Sequence, residues 1–201
     1  MAASQRRLSH HEPSAQASYD LRLEPLPVGV ARLMLAGKLR AGTLRVEPGT
    51  LRPEPGKLRP EPVEGQLPAW HPQYPLPDSI DAIAMVFASH RAMLGTVNDS
   101  PVWWIHQIIV DGAVVGDIGF HGPPDPELVV EIGYSVVPAW RGRGVASRAC
   151  ALILQQAWQD GADTVIAETD ADNVASQAVL LHNGFRRRPD GVFVINRPEA
   201  R

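Results

Sequence analysis

The chain has 201 residues, of which 44% are hydrophobic and 20% are charged, and this balance fits one globular domain with a core of its own. Its 19 Lys and Arg residues against 22 Asp and Glu give a net charge of −3, which argues against a positive field that would attract nucleic acid or an anionic membrane. The single cysteine, Cys150, excludes an intrachain disulfide and a cysteine-built zinc site. Since no apolar stretch is long enough for a signal or a membrane span, we expect a soluble, cytoplasmic protein without nucleic-acid or membrane partners.

Two segments lack the pattern of a buried core. Residues 1–17 are polar and aperiodic, so we expect a disordered leader. Within residues 37–67, one seven-residue unit occurs three times, as GTLRVEP, GTLRPEP and GKLRPEP. The proline in every unit excludes a coiled coil, and one leucine per unit cannot build a core. We interpret residues 37–67 as a low-complexity insert in a single domain spanning residues 18–201, with a proline-rich docking segment as the alternative.

Elsewhere, strand and helix periodicities alternate. In chain order, the pattern predicts a strand at 18–26, helices at 28–37 and 78–94, strands at 102–111, 113–122 and 127–137, a helix at 145–160, a strand at 164–170, a helix closed by Asn183-Gly184 and a hairpin turning at 189–191. We expect Asp78 or Ser79 to cap the second helix, and Asp111-Gly112 to form a hairpin turn. The last helix is predicted to bury Val174, Ala178 and Leu181. This order predicts a mixed α/β sheet with helices on its faces.

The junction between strand 127–137 and the next helix is the most informative feature. It reads Arg141-Gly142-Arg143-Gly144-Val145-Ala146. The glycines let the backbone pass close to a ligand, N–H groups converge at the helix start, and both arginines add positive charge, as a pyrophosphate site requires. A solvated surface loop is the alternative. A nucleotide P-loop is excluded because no lysine follows the glycines, and the third glycine of a dinucleotide fingerprint is missing.

A second motif strengthens this interpretation. Asn173-Val-Ala-Ser176 is followed, eleven residues after Asn173, by Gly184-Phe185. With the loop, which fits the pattern R/Q-x-x-G-x-G/A, these residues resemble the GNAT superfamily of acyl-CoA-dependent N-acyltransferases. The chain is most similar to the branch named for ribosomal-protein N-terminal acetyltransferases. The resemblance implies a GNAT-like α/β fold, with a largely antiparallel sheet, a splayed central strand pair and flanking helices.

The resemblance also implies the cofactor and its contacts. Acetyl-CoA is the expected acyl donor, and no metal is expected. Its pyrophosphate would lie on Arg141, Gly142, Arg143, Gly144, Val145 and Ala146. Its pantetheine arm would pair with the backbone of Val136 and Val137 as an added strand. Asn173 would contact the cofactor, act as a helix N-cap, or do both.

Acyl transfer to an amine needs a base for the amine and a proton for the departing thiolate. Glu131 is the candidate base, directly or through water, and a solvated strand glutamate is the alternative. Ser176 is the candidate donor to the sulfur, because Leu180 stands where many relatives place a tyrosine acid, seven residues after Asn173. Three further residues are predicted to flank the cleft, as substrate contacts or as structural residues: His106, His121 and Glu168.

These observations predict an N-acetyltransferase that moves an acetyl group from acetyl-CoA to a primary amine by direct attack. The acceptor is a protein N-terminus or another peptide amine, or a small-molecule amine. The alternative is a module of the same fold that binds CoA with little or no catalysis. The terminal strand pair leaves an edge through which a homodimer could form.

Overall fold

A computed structural model describes residues 19–39, 68–90 and 102–199. The predicted leader, the three repeats and the predicted end of the second helix at residue 94 lie outside the described residues. The elements are β1 (Leu21–Pro25), α1 (Val28–Leu35), β2 (Ala69–Trp70), α2 (Pro77–Ser89), β3 (Ile105–Val110), β4 (Ala113–Phe120), β5 (Val129–Val136), a 3₁₀ turn (Pro138–Trp140), α3 (Val145–Gln159), β6 (Thr164–Ala167), α4 (Val174–His182), β7 (Arg186–Arg187) and β8 (Phe193–Asn196).

In the described part of the chain, the strands form one eight-stranded sheet. Seven strands follow the order β1-β3-β4-β5-β6-β8-β7, and β2 pairs with the start of β4. Along this path the neighbours are antiparallel except β5 and β6, which run parallel. α1 and α2 pack together on one face, while α3 and α4 cover the other. The predicted mixed sheet with helices on its faces is confirmed, and β2 is an addition to the predicted order.

The parallel pair in the middle of the sheet separates along its length. β5 and β6 are in register from Val129, opposite Thr164, to Glu131, opposite Ile166. Beyond that point β5 continues to Val136, whereas β6 ends at Ala167. A cleft therefore opens between the two strands in the middle of the sheet.

Turns and caps show where local sequence rules hold. Asp111 and Gly112 have φ angles of 49° and 83°, as a type I′ hairpin turn requires, so that prediction is confirmed. The cap predicted for α2 is wrong: the helix begins at Pro77, with Leu76 as its N-cap. Proline is pre-organised for the first helical position, which moves the start upstream of Ser79. Ser79 is instead buried inside the first turn.

The predicted apolar face of α4 is also wrong. Val174 and Leu181 are 70% and 56% exposed, whereas Leu180 is fully buried. The helix has nine residues, and six of them are Val, Ala or Leu, so the hydrophobic period could not select the face that packs.

Trp104 stabilises the layer on the other face of the sheet. It is fully buried, and its Nε1 donates to the Leu26 carbonyl at 2.7 Å.

Candidate active site

The cleft between β5 and β6 is the candidate active site. Its volume is about 410 Å³. Its walls come from β5, from the segment after β6 and from α4, and the lining residues are Ile132, Gly133, Tyr134, Ala167, Glu168, Thr169, Asp170, Asn173, Ser176 and Leu180. The separated strands leave backbone groups of β5 facing this space, where an extended ligand can add itself to the sheet.

The hydrogen-bond pattern of β5 identifies which backbone groups face the cleft. His121 N donates to Glu131 O and Val137 N donates to Val115 O, each at 2.9 Å. Odd-numbered residues of β5 therefore bond to β4, and the even-numbered ones, including Tyr134 and Val136, turn towards the cleft.

This pattern corrects the predicted contact at Val137. Its N–H is bonded to Val115 O, and its carbonyl accepts from Trp140 N at 2.9 Å. Both backbone groups are therefore used within the protein. Val136 does face the cleft, although its carbonyl accepts from Arg141 Nε at 2.9 Å. Pairing with an extended ligand then falls to Tyr134 and to the N–H of Val136.

The loop that joins β5 to α3 leaves backbone donors outside the helical ladder at the start of α3. Gly142 and Gly144 have φ angles of 70° and 78°, in the left-handed region that favours glycine. Arg148 N donates to Gly144 O, which leaves the N–H groups of the first turn outside the helical ladder. Within the described residues, this turn has no acidic residue and no side-chain cap. An anion at this position would accept from those N–H groups and complement the helix dipole.

Aromatic and cationic groups brace the loop from outside. Tyr19 OH donates to Arg143 O at 2.9 Å, and the Tyr19 ring meets Trp140 edge-on at 6.0 Å. The Arg143 guanidinium lies 5.1 Å from the centre of the Trp140 ring, and that of Arg148 lies 4.5 Å from the Tyr19 ring. Sequence reasoning missed this support, because Tyr19 lies 124 residues before Arg143 and no local pattern joins them.

Near the start of α4, the predicted site residues Asn173 and Ser176 lie next to Tyr134. Asn173 Oδ1 accepts from Ser176 N at 3.1 Å, so Asn173 is the N-cap of α4, and both residues line the cleft. Tyr134 OH lies 2.8 Å from Ser176 Oγ and donates to Ser176 O at 3.1 Å. Burial raises the pKa of Tyr134 to about 12, which keeps the hydroxyl protonated as a donor.

Tyr134 is a functional candidate that sequence reasoning missed. The position expected for an acid on α4 holds Leu180, which is fully buried at the back of the cleft. The Tyr134 hydroxyl reaches the same wall from β5 instead. The signal was present in the alternation of β5, which places Tyr134 on the face opposite Glu131.

Glu131 lies on the α2 face of the sheet and is paired with a histidine. Its Oε1 is 3.1 Å from His121 Nδ1, and both side chains are partly exposed. His121 extends over Gly133, because a Cβ built on Gly133 would lie 2.6 Å from His121 Nε2. Gly133 lines the cleft, whereas neither Glu131 nor His121 is among the residues that line it.

The other two residues predicted to flank the cleft, Glu168 and His106, lie in different parts of the structure. Glu168 lines the cleft and is exposed. His106 does not: it lines a different pocket, between β1, β3 and α3, so its predicted position is wrong. Its strand, β3, lies two positions away from β5 in the sheet.

Cys150 is fully buried, and burial raises the pKa of its thiol to about 12.

Two searches over the described residues gave negative findings. No group of three or more His, Cys, Asp and Glu side chains there could hold a metal ion. Within the same ranges, each helix is too short or too polar to traverse a lipid bilayer.

Comparison with known proteins agrees with this geometry. The family model of the acetyltransferase (GNAT) domain matches residues 61–186. The structure is similar to an acetyltransferase from Agrobacterium tumefaciens, with a TM-score of 0.51 and 20% identity over 96% of this chain and 100% of that one. It is also similar to a GNAT-family acetyltransferase from Bacillus anthracis, with a TM-score of 0.41 and 25% identity over 46% of this chain and 65% of that one. A ribosomal-protein alanine acetyltransferase from Vibrio fischeri gives a TM-score of 0.44 and 14% identity over 58% of this chain and 87% of its own.

The chain thus spans about two thirds of the Bacillus anthracis protein. At 20% identity, the Agrobacterium tumefaciens structure supports the fold and no particular substrate. No curated protein matches the chain significantly in sequence. The predicted GNAT-like fold is confirmed, and the family model agrees with the predicted acyltransferase class at the level of the family. Because the family model covers more than half of its residues, the chain belongs to the GNAT acetyltransferase family.

Proposed function

We propose that this protein transfers an acetyl group from acetyl-CoA to a primary amine in the cleft between β5 and β6. The observation that carries the proposal is the separation of β5 from β6, on the strand whose chain continues into the uncapped N-terminal turn of α3. One end of this arrangement suits a diphosphate, and the other suits an extended chain that pairs with a strand. The fold family supplies the reaction class, and the residues of this chain supply the binding groups.

The residues present fit acetyl-CoA. The first-turn N–H groups of α3 and the glycine loop would hold the pyrophosphate, with positive charge from the exposed Arg141 and Arg143. The arm would pair with the even-numbered backbone groups of β5, chiefly those of Tyr134. Acetyl-CoA supplies a thioester that a neutral amine attacks directly, so the protein needs no nucleophile of its own.

Two groups of side chains on opposite faces of β5 match the proton transfers. On the α2 face, the Glu131–His121 pair receives the proton that the amine must lose. On the α4 face, Tyr134 and Ser176 form a hydroxyl pair that hydrogen-bonds to the leaving sulfur and returns a proton. Amide formation therefore proceeds between a proton acceptor and a proton donor separated by the strand.

The charge of the cleft favours a cationic acceptor. Glu168 and Asp170 are exposed carboxylates on its β6 side. They would attract an ammonium group from solvent before it loses a proton. A peptide N-terminus, as in the ribosomal-protein branch, and a small polyamine both meet this requirement, and we keep both as acceptor classes.

The location and the assembly are parts of the same proposal. We place the reaction in the cytoplasm, on the basis of a single buried cysteine that needs no oxidising compartment. We propose a homodimer through the β7 edge of the sheet, where β7 pairs with β8 on one side.

The test is release of free CoA thiol from acetyl-CoA in the presence of single amines. The panel includes peptides with a free or an acetylated N-terminus, polyamines and aminoglycosides. We expect thiol release that depends on the acceptor, with a mass increase of one acetyl group on that acceptor. Tight CoA binding without acceptor-dependent release from any amine would favour the binding module instead.

A further inference from the structure

His121 and Glu131 have the geometry of an oriented base. They lie directly opposite each other at the end of the β4–β5 ladder, where His121 N donates to Glu131 O. Their side chains meet on the same face, with His121 Nδ1 3.1 Å from Glu131 Oε1. The backbone of His121 is also fixed from the helix side, because Ser89 Oγ donates to its carbonyl at 3.0 Å. The imidazole is therefore anchored at both its backbone and its Nδ1 edge.

The contact with Glu131 sets the state of both ring nitrogens. A carboxylate at Nδ1 favours the tautomer that carries its proton there, since Nδ1–H then donates to Oε1. Nε2 is left with a free lone pair. That atom lies over Gly133, which borders the cleft. Nε2 therefore lies over a β5 residue that borders the cleft, although neither His121 nor Glu131 is among the residues that line it.

His121 and Glu131 have similar exposure, and their contacts separate their roles. The side chains of His121 and Glu131 are 28% and 34% exposed, so solvent and substrate can reach the pair. Oε1 of Glu131 is already bonded to the imidazole, whereas Nε2 projects over the one β5 residue without a side chain. Any side chain at position 133 would occupy the position of Nε2, so Gly133 creates the space for the imidazole.

We propose that His121, oriented by Glu131, is the group that takes the proton from the acceptor amine. The inference rests on the proposed acetyl transfer and deepens it. As the amine nitrogen forms its C–N bond and the C–S bond breaks, the surplus proton on nitrogen passes to Nε2. The departing thiolate takes its proton from Tyr134, which solvent then reprotonates, or from water, and His121 returns its own proton to solvent. Glu131 is then a positioning residue that stabilises the imidazolium, and not the base itself.

The test compares His121→Ala, Glu131→Gln and wild type in the thiol-release assay. A general base contributes about 10²- to 10⁴-fold, so we expect a kcat loss in that range for His121→Ala and a Kd for acetyl-CoA within about twofold of wild type. Added imidazole restores part of the kcat of His121→Ala and leaves Glu131→Gln unchanged. The smaller loss, of roughly tenfold, is expected for Glu131→Gln. Thermal unfolding of each variant confirms that it is folded.

A second variant keeps the imidazole but moves it. Gly133→Ala places a Cβ 2.6 Å from Nε2, which forces the ring away from the cleft, and we expect a kcat loss similar to that of His121→Ala, without imidazole rescue. If wild type is active and His121→Ala keeps the same kcat, this inference alone is overturned. The same holds if Glu131→Gln loses more kcat than His121→Ala. Wild type that releases no thiol with any amine overturns the proposed function as well.

Discussion

The buried Asp117 tests how burial changes the pKa of a carboxyl group and, through that pKa, the free energy of unfolding. It lies in the middle of β4, opposite Gln107 on one side and Ser135 on the other, and is 4% exposed. Ser135 Oγ donates to its Oδ1 at 3.0 Å, and Ser79 Oγ lies 3.0 Å from Ser135 Oγ. Burial raises the pKa of Asp117 from 3.8 to about 6, although the surrounding hydroxyls, including that of Tyr74, act in the opposite direction.

The raised pKa implies that stability falls as the pH rises. Between pH 3.8 and about 6, the folded protein keeps the Asp117 proton that the unfolded chain has lost. Because the folded state then binds more protons, the free energy of unfolding decreases across this window. A difference of about two pKa units, at ~1.4 kcal/mol each, corresponds to a loss of about 3 kcal/mol by pH 7. Asp117→Asn carries no ionisable proton and avoids this loss.

The assay is urea unfolding of wild type and Asp117→Asn at pH values from 4 to 7. We expect the stability of the variant relative to wild type to increase by about 2.4 kcal/mol between pH 4 and pH 7, with most of the change below pH 6. Asp81→Asn, at an exposed position of α2, is the matched control for removing one carboxylate. A difference between wild type and Asp117→Asn that stays constant with pH would refute the reasoning.

Two other expectations follow from the structure. Tyr134→Phe removes the hydroxyl that lies 2.8 Å from Ser176 Oγ. We expect kcat to fall by about 10- to 100-fold, with little change in the Kd for CoA. An unchanged kcat would exclude Tyr134 from the proton path. Deleting residues 49–62 removes two of the three repeats but keeps Leu39, which packs against the core. Since halving a loop changes its closure entropy by about 0.6 kcal/mol, we expect a shift of that size in urea unfolding and unchanged CoA affinity, whereas loss of folding would contradict the insert interpretation.

Local chemistry predicted the parts of the fold that depend on few neighbours. The Asp111-Gly112 turn follows from two residues that tolerate positive φ, and α3 follows from a long amphipathic period. α4 was harder to orient, because six of its nine residues are apolar and tertiary packing alone selects Leu180. The α2 cap was misassigned because two rules compete at its start, a polar cap and a first-turn proline, and Pro77 prevailed.

The site was predictable where it rests on backbone motifs and was not where it rests on strand register. The glycine loop and Asn173 could be predicted from the spacing of residues in the sequence, because the contacts of each lie within one helical turn. The faces of β5 followed from simple alternation, which correctly separated Glu131 from Tyr134. The pairing of Glu131 with His121 depends on how β4 and β5 align across a loop, and sequence does not fix that register.

Calorimetric titration of CoA into the protein tests the central claim most directly. Arg141→Ala/Arg143→Ala is compared with wild type, and Arg186→Ala/Arg187→Ala, on the exposed terminal strand β7, controls for the loss of two positive charges. Charge-assisted hydrogen bonds to phosphate contribute about 1.5–3 kcal/mol, so the loop variant should bind at least about tenfold more weakly while the control binds as wild type does. Undetectable CoA binding by wild type, or equal affinity in the loop variant, would contradict the account.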